Sequence, residues 1–596
     1  MSKTYRAINI ICILLGLITL TGSRALFAPY LLFSLFSLYC LANENATSVK
    51  EHTVAVNVMS AISAFFILIA NYQIWLFPLL PDNRTPMFVR SQKAALVLMI
   101  FAGSYFAVRN ILTFIADDSR IRISFDGGSI ESSDKAPASP ALSFTLPFIL
   151  ILLSYLTVYF LSYYPGLMSL DSIDQIDQIF TGRYSNHQPF YHTLMIGAFL
   201  RAGLLMFGDI NAAAAFYVIV QAAFLAAVFA FSVRTMADLA LPKWSRAAAL
   251  IWYMVMPFHI MFSFTVWKDV YFGAFTALLI IFFARICRGI GRRSVNIAGF
   301  AVCAPFICLL RSNGLFAYVF VFAAMLLLMR KQTKLIAIMA AMIVAAFILK
   351  HPVLGALDVT QPDTVESLSI PLQQISRVIT DKGHIADDDR AFLAQFMDID
   401  AIKDTYNPDI SDPVKNMIRD LGNERYLTDN IGTFLAVYCR TFIKNPMTYI
   451  IAWVDSTCGY WNSGYNYWVW YWDIEDNGYG LKQTVVSPAF RNAMDQYLWL
   501  YYNNPVLMIF TATGMYTWIV LLMFVRCCFQ KNTCGIIAAV PILAIILSLV
   551  ISSPVYAEFR YMYALFCALP VLCALTFSPL GAPEADKEAV IEDNMQ

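Results

Sequence analysis

Charged residues are scarce in this chain. Only 14% of its 596 residues are Asp, Glu, Lys or Arg, and 41 basic residues almost balance 40 acidic ones, giving a formal net charge of +1. Hydrophobic residues make up 59%, more than in a soluble globular protein. The even charge balance gives no reason to expect a nucleic-acid partner. The composition instead indicates a membrane protein.

The twelve cysteines show neither zinc-ligand spacing nor a disulfide framework. Most of them lie in apolar runs, where cysteine packs as a small hydrophobic residue. Cys439 and Cys458 fall in a long polar region, where a disulfide and two free thiols are both compatible with the sequence. No cleavage site stands out after the first apolar run, so we predict a retained first helix.

Long apolar runs recur along the chain, and each is close to the length that crosses a hydrocarbon core of about 30 Å as a helix. Backbone polar groups in lipid must be satisfied within the chain, which favours helices. We predict an all-α, polytopic membrane protein with about 14 transmembrane helices. The predicted spans are residues 7–22, 25–42, 55–80, 94–116, 142–162, 212–233, 246–264, 270–286, 297–310, 314–329, 334–349, 505–526, 534–553 and 558–577.

Basic linkers set the predicted orientation. They begin at Arg234, Arg285, Arg330 and Arg526, and placing all four in the cytoplasm agrees with alternate crossing. Both termini are then predicted to be cytoplasmic, and the polar loops face outward from the plasma membrane. The first 116 residues are predicted to cross three or four times.

Changes in composition divide the chain into segments. Residues 117–141 are rich in Ser, Asp, Gly and Pro without periodicity, which is typical of a flexible linker. The predicted segments are an N-terminal helix module (1–116), this linker, a transmembrane core (142–349) with a polar loop at 163–192, an extracytoplasmic cap with interfacial helices (350–504), C-terminal transmembrane helices (505–579) and a cytoplasmic tail (580–596).

The polar loop contains the sequence LDSIDQIDQIF. Asp171, Asp174, Gln175 and Gln178 are spaced to share one face of a short amphipathic helix on the membrane surface. A plain solvated face is an equally good interpretation of Asp174 and Asp177. Asp171 comes first, where an ionised carboxylate can act as a general base toward a substrate hydroxyl.

Several cations fall on the predicted outer side, against the usual distribution of basic residues. Lys268, Arg311, Arg377 and Arg560 are the candidate phosphate-binding residues. Arginine suits this role because its planar guanidinium binds phosphate oxygens and keeps its charge. Each is also compatible with a side chain that reaches the lipid headgroups.

The motifs YPGLMSLDS and GRYSNHQPFYHT, with WKD, RSNG, SIPLQQISR and EFRY later, resemble a bacterial branch of the GT-C superfamily. These are membrane glycosyltransferases that use polyprenyl-phosphate sugars, and the resemblance covers residues 142–577. It implies a GT-C-like fold with Asp171 as catalytic base and Asp269 as a second acid. The usual His-Pro-Pro pattern is His187-Gln188-Pro189 here, which leaves the role of His187 open.

The resemblance implies an inverting transfer of a sugar to a hydroxyl of a cell-envelope glycan, lipid or protein, with membrane lipid as a further partner. Some members use a divalent cation, and Asp171 with Asp269 offer ligands for Mg²⁺ or Mn²⁺, although no dense ligand cluster requires one. A transporter or flippase of lipid-linked sugars is the alternative, but such proteins bind near the bilayer midplane, often between repeated halves, which the sequence lacks. A binding or assembly protein without catalysis also stays open.

Further residues on the predicted outer side are candidate substrate contacts. They are Asp174, Gln175, Tyr184, Asn186, His187, His192, Asn313, Gln374, Glu558 and Trp461. For His192, a hydrogen-bonded interfacial histidine is the interpretation we favour. Trp461 belongs to an aromatic-rich stretch, 460–472, which is compatible with an interfacial belt or with stacking walls of a binding site.

Overall fold

The computed structural model describes residues 3–21, 27–43, 52–76, 86–117, 142–462 and 469–578. Within these ranges the chain is helical, and its strand-like pairings are isolated bridges. Eleven of the described helices are long and apolar enough to cross a membrane, which confirms the prediction of a polytopic helical protein. Three shorter apolar helices occupy further predicted spans: Phe27–Ala42, Ser312–Leu328 and Thr513–Phe529.

The helices are numbered in chain order. Those of the N-terminal module and core are α1 (Lys3–Leu20), α2 (Phe27–Ala42), α3 (Thr53–Ala70), α4 (Tyr72–Leu76), α5 (Pro86–Ala116), α6 (Leu142–Val158), α7 (Leu170–Thr181), α8 (Phe190–Phe207), α9 (Ile210–Asp238), α10 (Lys243–Val255), α11 (Pro257–Ser263), α12 (Lys268–Cys287), α13 (Arg293–Leu310), α14 (Ser312–Leu328) and α15 (Thr333–Ile348). Those of the cap and C-terminal part are α16 (Leu354–Ala356), α17 (Ser369–Thr380), α18 (Asp387–Leu393), α19 (Ile402–Thr405), α20 (Asp412–Asp420), α21 (Glu424–Asp429), α22 (Ile431–Lys444), α23 (Pro446–Thr457), α24 (Pro488–Asn503), α25 (Thr513–Phe529), α26 (Thr533–Ser552) and α27 (Phe559–Phe577).

Two regions of the chain differ from the predicted spans. The expected span 246–264 is two helices, α10 and α11, that meet at Met256, because Pro257 lacks the N–H that would continue the first helix. The predicted spans leave out α8, whose sequence looks amphipathic rather than spanning because it carries Arg201. Its length and hydropathy are nevertheless sufficient for a span, and Arg201 is an exposed exception on an otherwise mainly apolar helix.

The N-terminal module has its own hydrophobic core. The core includes Leu20, Val56 and Ile111, and it continues onto α25 through Val525 and Trp518. The module therefore packs directly on the C-terminal helices. The predicted linker beyond Asp117, the predicted tail from 580 onward and residues 463–468 of the aromatic-rich stretch lie outside the described residues.

Basic linkers collect at one end of the helices. Arg285, at the end of α12, lies 2.5 Å from Asp238 at the end of α9, and Arg288 donates to Ser578, just after α27, at 3.1 Å. α7 and the cap lie at the opposite end. This separation of basic linkers from the polar loop is the observation behind the proposed orientation.

Within the cap, helices α17–α23 form a second core around residues such as Leu372, Phe396 and Phe434. It is joined to the polar loop by the amide of Thr360, which donates to the carbonyl of Tyr184 at 3.1 Å. Its other side is joined to the segment before α27, because the amide of Ser411 donates to Pro554 at 2.8 Å. Cys439, exposed on α22, and the buried Cys458 are both free, so the disulfide alternative is wrong.

Candidate functional site: a charged cluster at four helix starts

Backbone pairing fixes the position of α7. Leu167 donates to the carbonyl of Phe264 and accepts from the amide of Val266, both at 2.9 Å. Gly166, just before, has φ of +134°, and a Cβ there would lie 2.8 Å from the side chain of Val218. This close approach, which requires glycine, brings the start of α7 beside the start of α12.

Four helices, α7, α12, α14 and α27, begin in one region. Asp171 lies in the first turn of α7, Asp269 in the first turn of α12, and Arg560 in the first turn of α27, while Arg311 directly precedes α14. Unpaired N–H groups give each helix start a partial positive charge. With the side chains described next, these helix starts form a region that favours an anion.

The charged cluster consists of Asp171, Lys268, Asp269, Arg311, Glu558 and Arg560. Arg560 joins two carboxylates, with Nη1 2.5 Å from Oδ2 of Asp171 and Nε 3.1 Å from Oε1 of Glu558. Arg311 is paired with Asp269. The side chain of Asp171 is 28% exposed, against 5% for Glu558 and 1% for Asp269, so Asp171 is the carboxylate open to a substrate.

Lys268 has no carboxylate within ion-pair distance among the residues that the structure describes. Its ammonium donates to the side-chain carbonyl of Gln188, and its charge acts on Asp171. Gln188 was not predicted as a site residue, although the SNHQP motif that contains it was. Lys268 is therefore the cation of the cluster that is paired with a neutral side chain rather than with a carboxylate.

The two carboxylates beside Arg560 have opposite pKa shifts. Burial raises the pKa of Asp171, but the charges of Arg560 and Lys268 outweigh it and hold this pKa at about 2. The pKa of Glu558 is raised, because burial outweighs the attraction of Arg560 and the charge of Asp171 adds to it. Asp171 is therefore ionised at neutral pH, and Glu558 is the carboxylate that takes up a proton more readily.

Several predicted substrate contacts surround the cluster. His187 is exposed, and its charge acts on both Asp171 and Asp174, which is also exposed. Asn186 donates to Gln361 at 3.0 Å, beside the contact between Tyr184 and Thr360 that joins the loop to the cap. On the other side, Asn313 donates to Ser548 of α26 at 3.0 Å and accepts from Arg311.

Gln175 and His192 are both buried. The two ring nitrogens of His192 lie 2.9 Å from Oε1 of Gln175 and 3.0 Å from the hydroxyl of Tyr217. Gln175 also donates to Thr193 at 2.9 Å. These polar groups are used within the protein, joining α7, α8 and α9, so the structure does not place either residue as a substrate contact.

Three further predicted residues lie in other contacts. Arg377 lies 2.7 Å from Asp455 and 2.9 Å from Asp381, within the cap. Gln374 is buried and donates to the carbonyl of Tyr449. Trp461 is buried too: its ring stacks on Trp453, and its indole donates to Thr457. The structure therefore does not bring Arg377, Gln374 or Trp461 into the charged cluster.

Lys350 is a cation near the cluster that the sequence analysis did not single out. It lies in a turn of π-helix after α15, and its ammonium is 3.3 Å from the carbonyl oxygen of Arg311. The only sequence signal is its position at the outer end of an apolar run.

The contacts of Asp171 and Asp269 concern the possibility that these two carboxylates hold a divalent cation. Asp171 and Asp269, the residues considered as metal ligands, are each paired with an arginine. In the described ranges, no group of three or more His, Cys, Asp or Glu side chains is placed to hold a metal ion. The cluster is suited chemically to an anion held between cations, with one ionised carboxylate beside it.

The chain belongs to DUF6020, a family of unknown function whose family model matches residues 180–590. The matched range contains Lys268, Asp269, Arg311, Glu558 and Arg560, and it begins after Asp171. No curated protein and no solved structure matches the chain.

Proposed function

We propose that this protein is an integral membrane glycosyltransferase, with a GT-C-like fold, that moves a sugar from a polyprenyl-phosphate donor to a hydroxyl of a cell-envelope acceptor. The observation that carries the proposal is the position of Asp171, an ionised and partly exposed carboxylate, beside Arg560 and Lys268 at the starts of four helices. The resemblance of the sequence motifs adds to it. The basic linkers at the opposite end support an extracytoplasmic site and cytoplasmic termini.

In the proposed reaction, the acceptor hydroxyl attacks the anomeric carbon and its proton passes to Asp171. The bond between the anomeric carbon and the phosphate oxygen breaks, and polyprenyl phosphate leaves with the bonding electrons. One displacement of this kind inverts the anomeric centre. Negative charge grows on the departing phosphate, so fixed cations in a poorly solvated site stabilise the transition state. Lys268, Arg311 and Arg560 are the residues for this role.

Arg560 links donor binding to the basicity of Asp171. A carboxylate whose pKa is about 2 is a weak base while the guanidinium remains on it. A phosphate that draws Arg560 toward itself weakens this attraction, so burial then raises the pKa of Asp171. The base becomes stronger when the donor is bound, which suits it to accept the hydroxyl proton.

The test follows release of polyprenyl phosphate by the full-length protein in nanodiscs from a panel of polyprenyl-phosphate sugars, with candidate acceptors. We expect wild-type release to fall about 100-fold in Asp171→Asn, as for loss of a general base. Asp177→Asn is the matched control, since it makes the same charge change on an exposed face of α7, where Asn can still accept from Tyr479.

Equal release by wild type and Asp171→Asn removes Asp171 from the catalytic role. No release from any donor, together with movement of labelled lipid-linked sugar across the bilayer, replaces the proposal with the transporter alternative.

A further inference from the structure

The ring of Tyr561 lies beside both guanidinium groups of the charged cluster. Its ring centroid is 4.4 Å from the guanidinium carbon of Arg311 and 5.4 Å from that of Arg560. Arg560 also lies 5.2 Å from the ring centroid of Trp267. All three distances are within the range of cation–π attraction.

The ring makes it easier to hold two like charges close together. Arg311 and Arg560 repel each other, and Asp171, Asp269 and Glu558 lie beside them as counter-charges. The faces of an aromatic ring carry negative charge density, so a ring in contact with two guanidinium groups attracts both. It also limits the directions in which their planar groups can turn, which leaves fewer orientations to fix when an anion binds.

The hydroxyl of Tyr561 is available to a ligand. The side chain is half-buried, and the hydroxyl makes no hydrogen bond within the part of the chain that the structure describes. The charges of Asp171, Arg311, Glu558 and Arg560 all act on this hydroxyl, which places it among the charged groups. A phenolic O–H is a good donor to a phosphate oxygen.

We propose that Tyr561 is a substrate-binding residue with two roles. Its hydroxyl donates a hydrogen bond to the phosphate of an isoprenoid-linked substrate, and its ring aligns Arg311 and Arg560 on the same phosphate. The inference rests on the proposed function, since it takes the phosphate of the lipid donor as the ligand.

The test measures binding of farnesyl phosphate, a short isoprenoid monophosphate, to the full-length protein in nanodiscs by calorimetry. We expect Tyr561→Phe, which keeps the ring and loses the hydroxyl, to raise Kd about tenfold, as for loss of a hydrogen bond to a charged group. Tyr561→Leu loses the ring as well, and we expect Kd to rise about fivefold further. Tyr318→Phe is the matched control, because it removes from the neighbouring helix α14 a buried hydroxyl that has no hydrogen-bond partner among the described residues.

The outcomes separate the claims. A Kd for Tyr561→Phe equal to that of wild type overturns the role of the hydroxyl, and equal Kd values for the Phe and Leu variants overturn the role of the ring. Absence of binding by wild type overturns both, together with the proposed phosphate site. Tyr561→Phe is nearly isosteric, and Tyr561→Met replaces the Leu variant if that variant does not fold.

Discussion

Arg311 donates a charge-assisted hydrogen bond to Asp269, and this pair joins the end of α13 to the start of α12. The side chain of Asp269 is 1% exposed and that of Arg311 is 10% exposed. The second carboxylate oxygen of Asp269 is buried and has no hydrogen-bond partner among the described residues. The pair therefore has a structural role whether or not Asp269 takes part in chemistry.

Breaking this pair is predicted to destabilise the protein. Asp269→Asn leaves the charge of Arg311 buried without its carboxylate, and we expect the free energy of unfolding to fall by about 3 kcal/mol. Unfolding by denaturant in detergent micelles measures the change. Asp381→Asn is the control, since it removes an exposed carboxylate from Arg377, which keeps Asp455, and its effect should stay below about 1 kcal/mol. Lost sugar transfer with unchanged stability would instead assign Asp269 to catalysis.

The acid limb of the activity profile is predicted to depend on Arg560. Asp171 must be ionised to act as a base, and with a pKa of about 2 it is ionised throughout the range above about pH 4. Arg560→Gln removes the main attraction that opposes the effect of burial, so the pKa of Asp171 rises. As the pH is lowered, the variant should therefore lose activity at a higher pH than wild type does. The measurement is kcat/KM for release of polyprenyl phosphate against pH, which reports the protein without bound donor, with each variant normalised to its own plateau.

The lowered pKa of Asp171 also makes the stability of the folded protein depend on pH. A lowered pKa in the folded protein means that ionised Asp171 adds stability above its unfolded pKa of 3.8, and this contribution disappears as the pH falls toward 2. Arg183→Gln removes an exposed arginine from the same loop and should leave the acid limb in place. An unchanged limb in Arg560→Gln would show that Arg560 does not set the charge of Asp171.

The sequence indicated the residues of the cluster better than it indicated their partners. Hydropathy and the distribution of basic residues predict an outward position for Asp171, Lys268, Arg311 and Arg560, and the structure brings these residues together. Arg377 carried the same signal, but its partner Asp455 is 78 residues away, and no local pattern shows that pairing. For Gln175, a helical wheel finds the polar face of α7 but cannot tell water from a polar side chain on α8.

His192 is predicted to stabilise the fold without contributing to donor binding. His192→Ala removes the ring nitrogens that contact Oε1 of Gln175 and the hydroxyl of Tyr217 in a buried place, which costs about 1–3 kcal/mol of unfolding free energy. We expect the Kd for farnesyl phosphate to match that of wild type at a temperature where the variant is folded. A large rise in Kd at that temperature would return His192 to the binding site.

The outer face of α22 has the apolar character expected of the interfacial helices that we predict in the cap. Ile443 is 71% exposed, and Leu435 and Phe442 beside it are 47% and 45% exposed. Arg440 and Lys444 follow one edge of this apolar face. Such a helix fits the headgroup boundary of a bilayer, with its apolar side buried and its basic side toward phosphate.

A contact of the neighbouring helix α23 supports the same position at the bilayer surface. The indole of Trp453, on α23, donates to the carbonyl of Val550 at 2.9 Å, in the last turn of the membrane-spanning helix α26. With α26 as a membrane span, we predict that α23 lies at the level where α26 leaves the hydrocarbon core. Since only Asn445 separates α22 from α23, we predict that the apolar face of α22 lies near the bilayer surface rather than far out in the water.

The exposed thiol of Cys439 lies on this face and provides the measurement. With Cys528→Ser removing the other exposed thiol, a bimane on Cys439 in nanodiscs should be quenched by nitroxide-labelled lipid and protected from aqueous iodide. Lys403→Cys, on the exposed side of α19, is the control in a Cys439→Ser background and should show the reverse. Equal access of iodide to both positions would mean that α22 stands clear of the bilayer. Protection of Cys439 would place the cap on the membrane, so that the charged cluster is covered at headgroup level, where a lipid-linked phosphate arrives.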